Sequence, residues 1–127
     1  MQGISGFIET AARPAAREEN LSLMCGVLKH HRGYELDRYS DGYVTIARAH
    51  AGIINPEAQP LINEDRSLML WMDGEVFGYE REKRKLEAEG HRFHYPENSA
   101  EFCLHYLETH GAAGAEVLNG SFLIVLY

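Results

Sequence analysis

A chain of 127 residues with 45% hydrophobic content holds enough apolar material for one modest core and too little for two, so a single domain spanning 1–127 is expected. Its net charge of -7 argues against a nucleic acid partner, because binding to a phosphate backbone needs a basic face. The longest apolar run, residues 122–127, is far short of the roughly 20 residues that cross a bilayer, and no basic region followed by an apolar core opens the chain. A soluble, cytoplasmic protein with no membrane contact is expected.

In chain order, Gly3–Ile8 reads as a short strand in which Gly3 and Gly6 let another backbone come close. Pro14 opens a helix, and Leu21, Met24, Cys25 and Leu28 follow at i, i+3, i+4 and i+7 as one apolar stripe, with Gly33 as its stop. Asp41-Gly42 signals a turn ahead of two β-branched stretches, 43–48 and 51–54, set around a bend. Residues 67–72 make a third strand region, with Trp71 and Met72 in the core. From Gly78 to Glu89 the residues are helix formers, Glu80 stands four before Arg84, and Gly90 ends the run. The basic cluster 81–85 is balanced by Glu80, Glu82, Glu87 and Glu89, which marks a solvated helix face.

Asn98 is placed to cap the next helix, with Glu101 three residues on, and Phe102, Cys103, Tyr106 and Leu107 form its buried face before Gly111 closes it. The run 121–127 reads as a strand buried on both faces. Strands and three helices in mixed order indicate an α+β fold with helices packed on antiparallel sheet. Cys25 and Cys103 each fall inside a helix, so both are expected as buried, reduced thiols. Among the seven histidines, His91 and His94 stand three apart and His30 adjoins His31. Spacing without a matching acidic or cysteine set is a weak metal signal, so neither metal nor cofactor is expected.

Several segments carry a family resemblance. Met1-Gln2-Gly3-Ile4-Ser5-Gly6 resembles the Met-Cys-Gly-Ile-x-Gly opening of the class II glutamine amidotransferases of the asparagine synthetase type, which are N-terminal-nucleophile (Ntn) hydrolases. His31-Arg32-Gly33 resembles the start of their His-Arg-Gly-Pro-Asp motif, with Tyr34-Glu35 in place of Pro-Asp. Ile53-Ile54-Asn55, Ala58-Gln59-Pro60-Leu61, Asp73-Gly74-Glu75-Val76-Phe77, Gly90-His91-Arg92-Phe93 and Leu118-Asn119-Gly120-Ser121-Phe122 continue the series in family order and at nearly family spacing. The resemblance covers the whole chain. It implies a four-layer αββα sandwich of the Ntn hydrolase type, incomplete at its C-terminal end.

The resemblance also implies what has been lost. The family nucleophile is a cysteine exposed by methionine removal, its own α-amine acting as base; here that place is Gln2, which has no nucleophilic atom and is large enough to keep Met1 in place. The family oxyanion hole pairs an Asn side-chain amide with a Gly N–H, and those places are Asp73 and Gly74. An ionised Asp cannot donate; losing one oxyanion donor costs about 2.7–4 kcal/mol, and a like charge costs more. The Arg that clamps the substrate α-carboxylate aligns with His50, or with Arg48 if the register slips by two, which keeps the same strand face. The Asp that receives the α-ammonium aligns with Ser99, with Glu97 nearby and Glu101 matching a family Glu.

Losses at several positions at once differ from the single change of a trapping variant. They point to a domain without glutaminase activity, a structural or docking module of an asparagine-synthetase-related protein. The alternatives are an active amide hydrolase with an unconventional nucleophile, for which Cys25 on its apolar stripe is a poor candidate, and a pocket in which Asp73 and Glu75 hold a small amino compound. Family domains continue past the last strand, so the chain is expected to be either a fragment of a longer synthetase or a short variant. Its partners are then a synthetase or ligase domain in cis or trans, and a second copy joined through the edge of the last strand.

Overall fold

The computed structural model describes residues 2–8 and 14–127, apart from the side chains of residues 14 and 15; Met1, whose retention is expected, lies outside the described residues. The chain divides into two compact units, Met1–Gln59 and Pro60–Tyr127, each with its own three-stranded antiparallel sheet.

In the first unit, β1 (Gly3–Ile8), α1 (Pro14–Leu28), β2 (Glu35–Ser40) and β3 (Val44–His50) give the sheet order β1-β3-β2. The turn at Asp41 sets the β2–β3 register: its Oδ1 accepts from the backbone N–H groups of Tyr43 (2.7 Å) and Val44 (2.8 Å). Every residue of the central strand β3 is buried. The stripe expected on α1 is present, with Leu21 and Cys25 buried against Ala47 and with Phe7 and Leu36 at the margin. At Gly6 the β1 backbone comes so close to β3 that a Cβ would lie 2.5 Å from the Thr45 carbonyl oxygen.

Three expectations for this unit need correction. Helix α1 ends at Leu28 rather than near Gly33. Beyond it the His31 Nδ1 accepts from the Gly33 N–H (3.2 Å), closing a local turn that replaces another helical turn. Strand β2 was not anticipated, because its Glu-Leu-Asp-Arg-Tyr-Ser sequence is that of a charged edge strand with little apolar signal. Residues 51–54 are not a strand: 52–55 form bends, with Asn55 at φ +46°.

In the second unit, β4 (Leu61–Ile62), β5 (Met69–Val76), α2 (Glu80–Ala88), α3 (Ser99–His110), a 3-10 turn (Ala112–Val117) and β6 (Gly120–Leu126) give the order β4-β5-β6. Leu70, Met72 and Val76 alternate along β5 onto a core shared with Phe102, Leu104 and Leu107 of α3. Burying a side chain of that size contributes about 1.5–3 kcal/mol. Helix α3 begins where the sequence indicates: Asn98 Oδ1 accepts from the N–H groups of Ala100 (2.8 Å) and Glu101 (2.9 Å). Helix α2 is solvated apart from Leu86, and an ion pair on it joins Lys85 to Glu82 at 2.8 Å, spaced i,i+3 where the sequence suggested Glu80 and Arg84 at i,i+4.

Strand β5 runs four residues beyond its expected end, through Val76. Strand β6 is buried less than expected: Phe122, Ile124 and Leu126 are half-buried against the α3 core, whereas Leu123 is 52% exposed. As an edge strand it has β5 on one side only among the described residues. Both cysteines are free and buried, as expected, and burial pushes the Cys103 thiol up to about 12. Two antiparallel sheets with accompanying helices make the chain α+β, the expected class. Among the described residues no helix is long and apolar enough to cross a membrane.

Candidate functional site

In the first unit the residues aligned with the family site gather at the end of β3. Arg48 and His50 alternate onto one face of that strand, and Asp37 on β2 lies opposite Arg48 in register. The Arg48 guanidinium is 1% exposed and occupied: Nε donates to Asp37 Oδ2 (2.9 Å), Nη1 to the Asn55 carbonyl (3.1 Å) and Nη2 to the Glu57 carbonyl (3.0 Å). Its charge therefore holds the loop after β3 and is not presented to a ligand. His50 is buried; its Nδ1 accepts from the Gly52 N–H (3.2 Å), and its Nε2 stands 3.5 Å from the same Asp37 oxygen, too long for a good hydrogen bond. Gln2 is half-buried and immediately precedes Gly3, whose register partner is Ala49, so extending the ladder by one residue brings Gln2 to the His50 end of β3.

In the second unit, Asp73, Gly74 and Glu75 are consecutive on β5 and partly exposed. Asp73 and Glu75 project to the face opposite the α3 core, since Met72 and Val76 occupy the core face. Gly74 has φ +98°, and a Cβ there would sit 2.0 Å from the Ser121 carbonyl oxygen of β6. Ser99 is buried, and its Oγ accepts from the Val76 N–H (3.3 Å), so the hydroxyl ties α3 to β5. The buried Glu101 carboxylate accepts from the N–H groups of His94 (2.9 Å) and Tyr95 (2.8 Å), pinning the segment before the helix. His50 with Arg48, and Ser99 with the end of β5, are thus brought together within their own units.

A second constellation was missed by sequence reasoning. His91 does not associate with His94, whose imidazole instead lies 3.2 Å from Glu101. His91 meets His105 of α3, with their Nδ1 atoms 3.1 Å apart, and Glu64 and Glu108 complete a group of four potential ligands. One signal was available: His105 and Glu108 stand at i and i+3, which places them on one helical face. Glu64 comes from the turn after β4, and sequence spacing carried no sign of it. Partial burial acts to raise the Glu64 carboxyl, but the Arg92 N–H and the neighbouring His105 and His91 outweigh it and hold the group below its ordinary value. Glu64 and His105 also line a cleft of about 400 Å³ with Arg66 and Arg92.

Residues 1–127 match the family described as a glutamine amidotransferase domain. Glutamine-hydrolyzing asparagine synthetase from Brassica oleracea is 32% identical over 99 residues, covering 76% of this chain and 16% of that protein. The protein of the same name from Sandersonia aurantiaca is 34% identical over 101 residues, covering 76% and 18%. Glutamine-hydrolyzing asparagine synthetase 2 from Oryza sativa subsp. japonica is 32% identical over 131 aligned positions, covering 99% of this chain and 21% of that protein. The chain therefore spans about one fifth or less of the length of these relatives. It belongs to the glutamine amidotransferase domain family, in the class II branch of the asparagine synthetase type.

Proposed function

We propose that this domain lacks glutaminase activity and serves as a structural or docking module of an asparagine-synthetase-related protein, with a synthetase domain as its partner. The observation that carries this reading is that the polar groups aligned with the family's substrate clamp are spent on the fold. Ser99 Oγ is taken by the Val76 N–H, His50 Nδ1 by the Gly52 N–H, and the alternative clamp, Arg48, by Asp37 and two backbone carbonyls. At the reacting positions, Gln2 offers no nucleophile and the Asp73 carboxylate no oxyanion donor.

The retained features support a scaffold. Gly74 permits close packing of β5 on β6, and Glu101 anchors the entry to α3. The outer edge of β6 offers backbone groups for pairing with another strand, from a second copy or from a synthetase domain. A strictly monomeric light-scattering profile at micromolar concentration would count against the homodimer. The central test is incubation with glutamine and measurement of ammonia. No release above a heat-denatured control is expected, and this should hold in Asp73→Asn, because restoring the amide does not restore a nucleophile. Release above that control by the unaltered protein would overturn the proposal.

A further inference from the structure

We propose that Glu64, His91, His105 and Glu108 form a binding site for a divalent transition-metal ion, zinc by preference, which joins the turn after β4 and the segment before α3 to the C-terminal half of that helix. The inference is independent of the glutaminase reading and concerns a different part of the second unit.

The geometry is that of a coordination shell. Four ligands placed 2.0–2.1 Å from a tetrahedral zinc lie about 3.3–3.4 Å from one another. His91 Nδ1 and His105 Nδ1 are 3.1 Å apart. Glu108 Oε2 is 3.6 Å from each of those nitrogens, and Glu64 Oε2 is 3.6 Å from His105 Nδ1. All four ligand atoms fall within 4.8 Å of one another. Glu64, on an exposed turn, has the most freedom to complete the shell.

Three of the four donors are oriented by a second contact, as metal ligands usually are. Glu64 keeps Oε1 on the Arg92 N–H (2.9 Å), leaving Oε2 for the group. Glu108 Oε1 accepts from Asn63 Nδ2 (2.9 Å), and the Asn63 amide is itself fixed by the Leu68 N–H on its oxygen. The other oxygen, Glu108 Oε2, is a buried atom with no hydrogen-bond partner, although it faces both histidines. Thr109 decides the His91 tautomer. Its hydroxyl donates its single proton to the His105 carbonyl (3.1 Å), so it can only accept from His91 Nε2 (3.1 Å), which leaves the Nδ1 lone pair of neutral His91 directed at the group.

A proton shared between the two imidazoles would satisfy both facing nitrogens but leave Glu108 Oε2 without a donor. A dication serves all four ligands, and two neutral imidazoles with two carboxylates balance its charge. Imidazole and carboxylate donors together suit zinc, and the adjoining cleft supplies an entry path beside Glu64 and His105.

The test uses the tag-free chain 1–127, stripped with a chelator and then given zinc alone, followed by gel filtration and elemental analysis. One zinc retained per chain, with a thermal midpoint that rises with zinc concentration, is expected. Cobalt(II) in place of zinc should give the intense visible absorption of a tetrahedral site. His91→Asn and Glu64→Gln alter partly exposed residues and should each abolish stoichiometric retention while leaving the far-ultraviolet circular dichroism unchanged. Failure of the unaltered protein to retain zinc would overturn the proposal. So would equal retention by both variants, or a weak octahedral cobalt spectrum.

Discussion

Replacing Gly74 by alanine separates a packing role from a chemical one. Two costs combine at this position. At φ +98° an L side chain is strained, which costs about 1–3 kcal/mol. The added Cβ would also lie 2.0 Å from the Ser121 oxygen and 2.9 Å from the Phe122 Cα, both backbone atoms of β6, so the strand itself must move. Overpacking of that kind adds about 1–3 kcal/mol. A total of about 2–6 kcal/mol is a large part of the 5–15 kcal/mol that typically holds a domain together. Urea titration followed by the fluorescence of Trp71, wholly buried on the same strand, should show a lower midpoint at unchanged slope. Gly78→Ala is the control: φ there is +68°, but nothing lies within 4 Å of the added atom, so only strain of about 1–2 kcal/mol remains. If Gly74→Ala costs no more than Gly78→Ala, the close approach of β5 and β6 is not what holds that glycine.

Arg48→Met should destabilise by about 3–5 kcal/mol in the same titration, because it leaves Asp37 without its 2.9 Å partner and removes a donor from each of the Asn55 and Glu57 carbonyls; a loss below about 1 kcal/mol would refute a structural role for this guanidinium. Asn98→Ala removes an acceptor shared by two helix N–H groups and should cost about 0.5–2 kcal/mol, whereas Asn98→Asp keeps the acceptor and should be nearly neutral. Burial pushes the Cys103 thiol up to about 12 from an ordinary value of 9.0. The stability that the neutral thiol contributes is therefore complete below about pH 9 and is lost as pH rises toward about 12, by up to about 1.4 kcal/mol per pH unit. Urea midpoints at about pH 8 and about pH 11 should fall further for the unaltered protein than for Cys103→Ala; equal falls would refute this reading.

Residues that the proposal assigns to a lost site and residues that hold the fold are interleaved along the same strands. Gly74, packed against β6, follows Asp73, and Arg48, bonded to Asp37 and two carbonyls, stands two before His50. Arg48 shows why alignment alone leaves the clamp ambiguous: a slip of two residues preserves the strand face, and only its bonds to Asp37, Asn55 and Glu57 mark it as structural.

Local rules were enough to read much of the architecture. The apolar stripe of α1, the Asn98 cap, the solvated α2 and the α+β class depend on spacing within a few residues, where backbone geometry links sequence directly to structure. The proposed loss of nucleophile and oxyanion donor rests on the sequence as well, since Gln2 and Asp73 lack the atoms those roles require in any fold. What needed tertiary structure were features whose partners lie far apart in the chain. Strand β2 is recognisable only by its pairing with β3, because its charged residues suit an edge and hide its alternation. The half-exposure of β6 follows from which side chains meet the α3 core, Phe122, Ile124 and Leu126, and which point away, as Leu123 does. The group formed by Glu64, His91, His105 and Glu108 spans 45 positions of sequence and three separate elements. Its chemistry arises because the turn after β4 and the segment before α3 both pack against one face of that helix, a proximity that no local spacing encodes.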